Sequence, residues 1–235
     1  VEVTSGEVAV GLAATTIVDA ANRRAAAQAH SAAHLVHAAL RDTLGSSATQ
    51  SGSLNRAGYL RFDFAWTQAL SPETKSEIEE IANNAVRDNL EVTTRILPLD
   101  EARKAGAMAL FGEKYGETVR MVDIGGPWSR ELCGGTHVAA LGDIGPIKIV
   151  AEGSIGSNIR RLEAITGTAP IDRLRGAEAT LDRAAELVGV PVDDILERAR
   201  SVGAAVIVDA AQTAAKREGM AIGLISDLAV GMDPG

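Results

Sequence analysis

The sequence predicts an α+β fold, in which helices and strands alternate through short connections. Three observations carry that expectation. A run dense in alanine, the strongest helix former, extends from Ala20 to Ala39. Short β-branched and aromatic runs recur between glycine- and asparagine-rich breaks. Proper helix-start chemistry punctuates them, as in Ser71-Pro72-Glu73. Hydrophobic residues make up 46% of the chain but aromatics only 3%, so the core must be built from Ala, Val, Ile and Leu.

Taken in order, Glu7-Val-Ala-Val and Thr15 to Asp19 alternate as short strands do. Asp19 or Asn22 is placed to cap the alanine-rich helix, and Gly45 to end it. Residues 48–65 read as a hairpin with Asn55 to Gly58 at its turn, and Gln50, Ser51 and Ser53 form a polar strand end. A helix from Ser71 to about Leu90 turns Ile78, Ile81 and Val86 inward and exposes Glu77, Glu79, Glu80 and Asp88. A strand from Glu91 to Leu99 follows, then a short helix capped by Asp100 and ending at Gly112. A strand over Val119 to Ile124 delivers the chain to Gly125-Gly126 and the loop around Cys133. Strands near Ile147 to Val150 and Ile159 to Ile165 close an α+β domain over 1–168. Acidic amphipathic helices broken by Gly189 and Pro191 form a connector over 169–202. Residues 203–235 alternate strand-like and helix-like runs, a partial C-terminal α/β unit.

The chemistry concentrates in two stretches. Gln28-Ala-His30-Ser31-Ala-Ala-His34-Leu-Val-His37 lies in the alanine-rich helix, so His30 and His34 are one turn apart and share a side. Glu131-Leu-Cys133-Gly134-Gly135-Thr136-His137 cannot continue a helix through two adjacent glycines and reads as a tight loop. Together they hold all four histidines and the one cysteine of the chain. Imidazoles and a thiolate are the donor set Zn2+ prefers. An isolated H-x-x-x-H is commonly just a hydrogen-bonded pair on a helix; the second stretch is what turns the spacing toward metal. His37 lies on the same helical face, and spacing alone leaves it open as a ligand.

The net charge of −8 argues against a generic nucleic-acid coat while allowing a local basic groove for a particular RNA. A single cysteine rules out an internal disulfide framework and fits a reducing, cytoplasmic setting. No apolar run is long enough to suggest a membrane partner. The start at Val1 is that expected of an excised piece, and nothing in the sequence sets an oligomeric state.

Six islands resemble the editing region of the alanyl-tRNA synthetase family. They are His30 to Leu40, Thr49-Gln-Ser-Gly-Ser53, Leu60-Arg-Phe-Asp-Phe64, Ala109 to Gly116, Glu131 to Val138 and Gly142-Asp-Ile-Gly145, in that order over about residues 5 to 168. The resemblance implies a two-layer editing domain of the threonyl/alanyl-tRNA synthetase second additional domain type, with an incomplete barrel remnant at its start. It implies Zn2+ held by His30, His34, Cys133 and His137, with His37 packing beside or hydrogen-bonding the ligands. The implied reaction is deacylation of tRNA(Ala) mischarged with serine or glycine, and the implied partners are the tRNA(Ala) acceptor end and the remainder of the synthetase. Gln50 and Thr136 match motif positions that could contact the substrate's hydroxyl or amino group. Arg160, Arg161, Lys148 and Lys114 are the cations available for the RNA backbone.

Two positions depart from the family pattern. Ala33 stands where threonine is common, and Ser51 where lysine is common. Two other classes of function stay open: a non-catalytic RNA-binding module with a structural zinc, and a zinc hydrolase such as a peptidase. Against the peptidase, Ser31 occupies the place where H-E-x-x-H needs its general-base glutamate. A free-standing editing factor is a variant of the main reading.

Overall fold

A computed structural model describes residues 2–7, 9–109 and 115–202 of the chain. The chain divides into two compact units, Val1–Ala169 and Pro170–Gly235. The partial α/β unit expected over 203–235 lies outside the described residues, as do Lys114 and most of the Ala109 to Gly116 island.

In the first unit, helix α1 (Ala20–Leu44) opens on Asp19, whose carboxylate accepts the Asn22 N–H at 2.9 Å. Its end is set by Gly45 at φ 94, where the amide donates to the Arg41 carbonyl. Every residue from Ser31 to Leu40 is buried, so this stretch of the helix is enclosed on all sides rather than amphipathic. Alanines make that possible, since small side chains let neighbouring elements approach all round.

Strands β1 (Gln50–Arg56) and β2 (Tyr59–Ala65) form the expected hairpin about Ala57-Gly58. Gly58 sits at φ 71, a conformation that costs a side-chain-bearing residue free energy. With β6 (Lys148–Gly156) and β7 (Ile159–Ile165) they make an antiparallel sheet in the order β1-β2-β7-β6. Phe62, Phe64, Leu60 and Leu162 are fully buried on or near this sheet and join Leu35, Leu40, Ile78, Leu141 and Ile144 in one core. Each of the larger side chains contributes roughly 1.5–3 kcal/mol by leaving water. Helix α2 (Pro72–Asp88), capped by the Ser71 hydroxyl on the Thr74 N–H, completes the helical layer beside α1.

A second antiparallel sheet runs β3 (Val92–Pro98), β4 (Thr118–Ile124), β5 (Ser129–Leu132). Helix α3 (Leu99–Lys104) covers it through a small cluster of Ala102, Val119, Met121 and Leu132. Period-two alternation gives β4 two working faces. Val119 and Met121 enter the small cluster, while Val122 and Ile124 belong to the main core. Arg120 shares the second face, the one that meets α1.

In the second unit, α4 (Ala169–Val188) ends at Gly189, φ 70, and α5 (Ile195–Val202) follows a short 3-10 turn after Pro191.

Four expectations change. The alternating runs at 7–10 and 15–19 form no strand among the described residues; Val10, Leu12 and Ile17 are exposed, because alternation without a partner edge stabilises nothing. Helix α3 starts at Leu99 after Pro98, with no side-chain cap from Asp100, and stops at Lys104 because Met108 is drawn into a bridge with Glu131. Glu79 is not a solvated acid: it accepts the Ile149 amide at 2.7 Å and the Lys148 ammonium at 3.0 Å. Strand β5, read from the sequence as loop, is what aims the cysteine.

Candidate metal centre

Helix α1 supplies three imidazoles on one stripe, and the β5 end supplies their partners. On β5 the alternation puts Ser129, Glu131 and Cys133 on the face toward α1, with Arg130 and Leu132 on the other. The loop that follows is held by the Arg120 guanidinium, which donates to the carbonyls of Cys133 at 2.9 Å and Gly135 at 2.7 Å. The Cys133 amide in turn donates to the Arg120 carbonyl. Both ends of the loop are therefore pinned to one residue of β4.

His30, His34, Cys133 and His137 converge so that one ligand atom from each lies within 4.8 Å of all the others. Cys133 Sγ is 3.3 Å from His30 Nε2 and 3.4 Å from His137 Nε2. A tetrahedral zinc with bonds of roughly 2.0–2.3 Å spaces its ligand atoms roughly 3.3–3.6 Å apart, so these separations suit it. His34 Nε2 is buried and has no hydrogen-bond partner, an arrangement that is costly unless something else completes it. The three imidazole rings are 4.4 to 5.3 Å apart between centres. The donor set fits a metal ion.

The atoms facing away from the cluster are also held. Ser31 Oγ accepts the Val138 amide at 3.1 Å and lies 3.2 Å from His137 Nδ1. Donation from His137 Nδ1–H to that hydroxyl leaves Nε2 with a lone pair toward the cluster. His34 Nδ1 lies 3.0 Å from Glu131 Oε2, and His37 Nδ1 lies 2.9 Å from Glu131 Oε1. His37 stands outside the four-donor group, its ring against Phe62. Gly135 is needed for close approach rather than for its dihedral: a Cβ there would overlap Cε1 and Nδ1 of His30.

The electrostatics follow from burial and neighbours. Burial would raise the Cys133 thiol, but the imidazoles of His137, His30 and His34 outweigh it and bring its pKa down to about 3. At neutral pH the sulfur is a thiolate, the form that binds metal. Burial opposes charge on His34, yet the Glu131 carboxylate and Cys133 together raise its pKa to about 10. Glu131, despite burial, is held well below the usual carboxylate range by His34 and His37. Burial lowers His137. In the metal-free protein this is a compensated charge cluster, and a metal would displace protons from it.

Beside the cluster lies an open pocket of ≈ 340 Å³, walled by the first turns of α1, Asn55, His30 and Thr136.

Comparison with known proteins bears on what such a centre belongs to. Residues 119–163 match the family described as the threonyl and alanyl tRNA synthetase second additional domain. The chain is 60% identical over 198 residues to the alanine–tRNA ligase of Clavibacter sepedonicus, an overlap of 84% of this chain and 22% of that protein. Identity to the alanine–tRNA ligase of Leifsonia xyli is 68% over 165 residues, 70% of this chain and 19% of the relative. For that of Cutibacterium acnes it is 44% over 229 residues, 97% of this chain and 26% of the relative. The chain belongs to this synthetase family. It spans about a quarter or less of the length of these relatives.

The remaining candidate residues fall as follows. Thr136 is exposed and lines the pocket beside His30. Gln50, at the start of β1, donates to Ser53 Oγ at 3.2 Å and does not line that pocket. Arg161 forks onto Asp63, 2.7 and 2.9 Å to its two oxygens, and stays 29% exposed. Arg160 turns to the other face, where it pairs with Glu152 at 2.6 Å and is only 13% exposed. Lys148 meets Glu79. Ala33 is 4% exposed and packed in the main core. The sequence alone assigns Glu131 no task, although an acid two residues before the cysteine on a strand shares its face. Ser31 was legible as a polar exception among alanines. Arg120 carried no signal at all. No described helix is long and apolar enough to cross a membrane.

Proposed function

We propose that this chain is a proofreading hydrolase module that cleaves the aminoacyl ester of tRNA(Ala) mischarged with serine or glycine, using zinc at His30, His34, Cys133 and His137. The observation that carries the reading is the four-donor cluster, closed around an unpartnered buried imidazole nitrogen, with Cys133 and His137 inside the segment that matches the second additional domain. Three imidazoles and a thiolate favour zinc over harder cations. The need for the reaction is physical. An alanine-sized pocket cannot strongly reject glycine, which is smaller, or serine, which adds a hydroxyl. Discrimination of about 1–3 kcal/mol calls for a second, hydrolytic sieve.

Zinc bound there would supply Lewis acidity and a fixed anchor for the misattached amino acid. The chain's own residues do the rest. Glu131 and Ser31 orient two imidazoles, Arg120 fixes the loop, and the pocket beside His30 and Thr136 admits the aminoacylated end. Gln50 and Thr136 are proposed as contacts to the amino acid. Arg161, Lys148 and Lys114 are proposed for the acceptor-end backbone, with Arg161 exchanging Asp63 for phosphate, whereas Arg160 stays with Glu152. The remainder of a cytoplasmic synthetase is the proposed physiological partner.

One observation favours a second reading. Four protein donors complete a tetrahedron, and closed sites are ordinarily structural. A single experiment separates the two: deacylation of seryl- and glycyl-tRNA(Ala) by the purified chain, with zinc content measured on the same sample. Hydrolysis that disappears on chelation and returns with zinc supports the hydrolase. Stoichiometric zinc without hydrolysis, with tRNA still bound, supports the structural-zinc module.

A further inference from the structure

Glu131 occupies an unusual position, a carboxylate 4% exposed between two imidazole nitrogens at 3.0 and 2.9 Å. An ionised carboxylate offers acceptors only, so each facing nitrogen must carry its proton. His34 Nδ1–H therefore points at Oε2, and the opposite nitrogen, Nε2, is the one left without a partner inside the cluster. His37 secures the other oxygen and is itself backed by the Phe62 ring. The carboxylate cannot rotate away without stranding a buried imidazole N–H. Its backbone is fixed as well, since Glu131 lies within β5 and bridges to Met108.

We propose that Glu131 is the positioning residue of the metal centre: it locks His34 in the Nδ1–H tautomer so that Nε2 alone presents a lone pair to the ion, with His37 holding the carboxylate in place. This rests on the metal reading of the cluster and extends it to residues outside the four donors. It also gives His37 a task that is not ligation. His37 is not a fifth donor, because its Nδ1 is committed to Oε1 and the residue stands apart from the donor group. Outer carboxylates of this kind orient a ligating ring and raise its basicity, and their loss typically weakens metal binding about 10–100-fold.

Glu131→Gln tests the assignment at constant shape. An amide offers one acceptor and one donor edge, so it satisfies one Nδ1–H and opposes the other. Zinc affinity, measured by competition with a chromophoric chelator under reducing conditions, should fall about 10–100-fold. Cobalt substitution should still show the thiolate charge-transfer band of Cys133, because the four donors remain. A folded Glu131→Gln chain that binds zinc as tightly as wild type overturns the proposal. The wild-type chain provides a second measurement that needs no variant to fold. Nitrogen-15 imidazole spectra of the zinc-loaded protein should show His34 protonated at Nδ1 and metal-bound at Nε2, with a slowly exchanging downfield proton. Protonation at Nε2, or ligation through Nδ1, overturns it. Zinc uptake that is indifferent to Glu131 sinks this inference alone, whereas no zinc uptake by the wild type sinks the metal reading with it.

Discussion

Gly134 and Gly135 are adjacent in the sequence and alike in composition, yet the structure gives them unequal tasks. Neither has a positive φ, so neither needs to be glycine for its dihedrals. A Cβ at Gly134 would meet nothing within 4 Å. A Cβ at Gly135 would overlap the His30 ring. Relief could come only from moving His30 or the loop. The helix backbone carrying His30 is buried over its next two turns and the loop carbonyls are held by Arg120, so the backbones do not yield cheaply. Swinging the His30 ring aside would take a donor from the cluster. Overpacking of this kind costs about 1–3 kcal/mol. Expressed in binding, with about 1.4 kcal/mol per factor of ten, Gly135→Ala should weaken zinc by roughly 5–150-fold. Gly134→Ala should stay within roughly threefold of wild type, as for an unencumbered surface change. Zinc competition on both variants, with thermal melts of the chelated proteins to follow folding, decides the matter. Equal affinities for the two variants would refute the claim that close approach to His30 is what Gly135 provides.

Three further outcomes are expected. The chain should carry about one zinc, lost in His34→Ala and in Cys133→Ala because both sides of the site are needed, and chelation should lower the melting temperature of the wild type alone; a metal-free wild type under reducing, chelator-free conditions is the contrary result. Arg161→Ala should weaken binding to any tRNA alike and reduce the salt slope by about one, whereas Arg160→Ala, removing a guanidinium committed to Glu152, should leave it unchanged; a salt series on both variants checks this. Gln50→Ala should reduce seryl-tRNA deacylation more than glycyl-tRNA deacylation, while Ala33→Thr, a change inside the core, should lower stability by about 1–3 kcal/mol without altering that ratio; single-turnover deacylation and melts separate the two effects.

The parts of the fold legible in the sequence are those where local chemistry and tertiary packing agree. Asp19 caps and Gly45 ends a helix that its alanines already favour, and Ala57-Gly58 turns a hairpin whose inward residues are aromatic. Where the outcome depends on a distant partner, the sequence is silent. Residues 15–18 alternate as well as many strands do but pair with no strand among the described residues. The four residues of β5 are too short to register as a strand, yet pairing with β4 makes them one. The donor set was legible because histidine and cysteine are rare here and their spacings are distinctive. Its supports were not. Glu131 is one of many acids, and Arg120 is one of many arginines until β4 places it beneath the loop.

The donors are not held equally, and this bears on whether the centre can be more than a structural pin. His34 is anchored through Nδ1 by Glu131, and His137 by Ser31. Cys133 sits on a backbone tied to Arg120 at both carbonyl and amide. His30 has a hydrogen-bond contact only to Cys133, and it alone of the four lines the open pocket. Buried, anchored ligands lose more when truncated, because truncation also leaves their partners unsatisfied. His34→Ala leaves the buried Oε2 of Glu131 without its partner; His30→Ala opens space toward water, which can take a vacated position. His30→Ala should therefore retain zinc that His34→Ala loses, with an affinity between that of His34→Ala and wild type. Parallel metal titrations of the two variants provide the comparison. Equal losses would show four equivalent donors and a uniformly closed centre. Retention in His30→Ala would mark the pocket side as the face at which a substrate or water can reach the site.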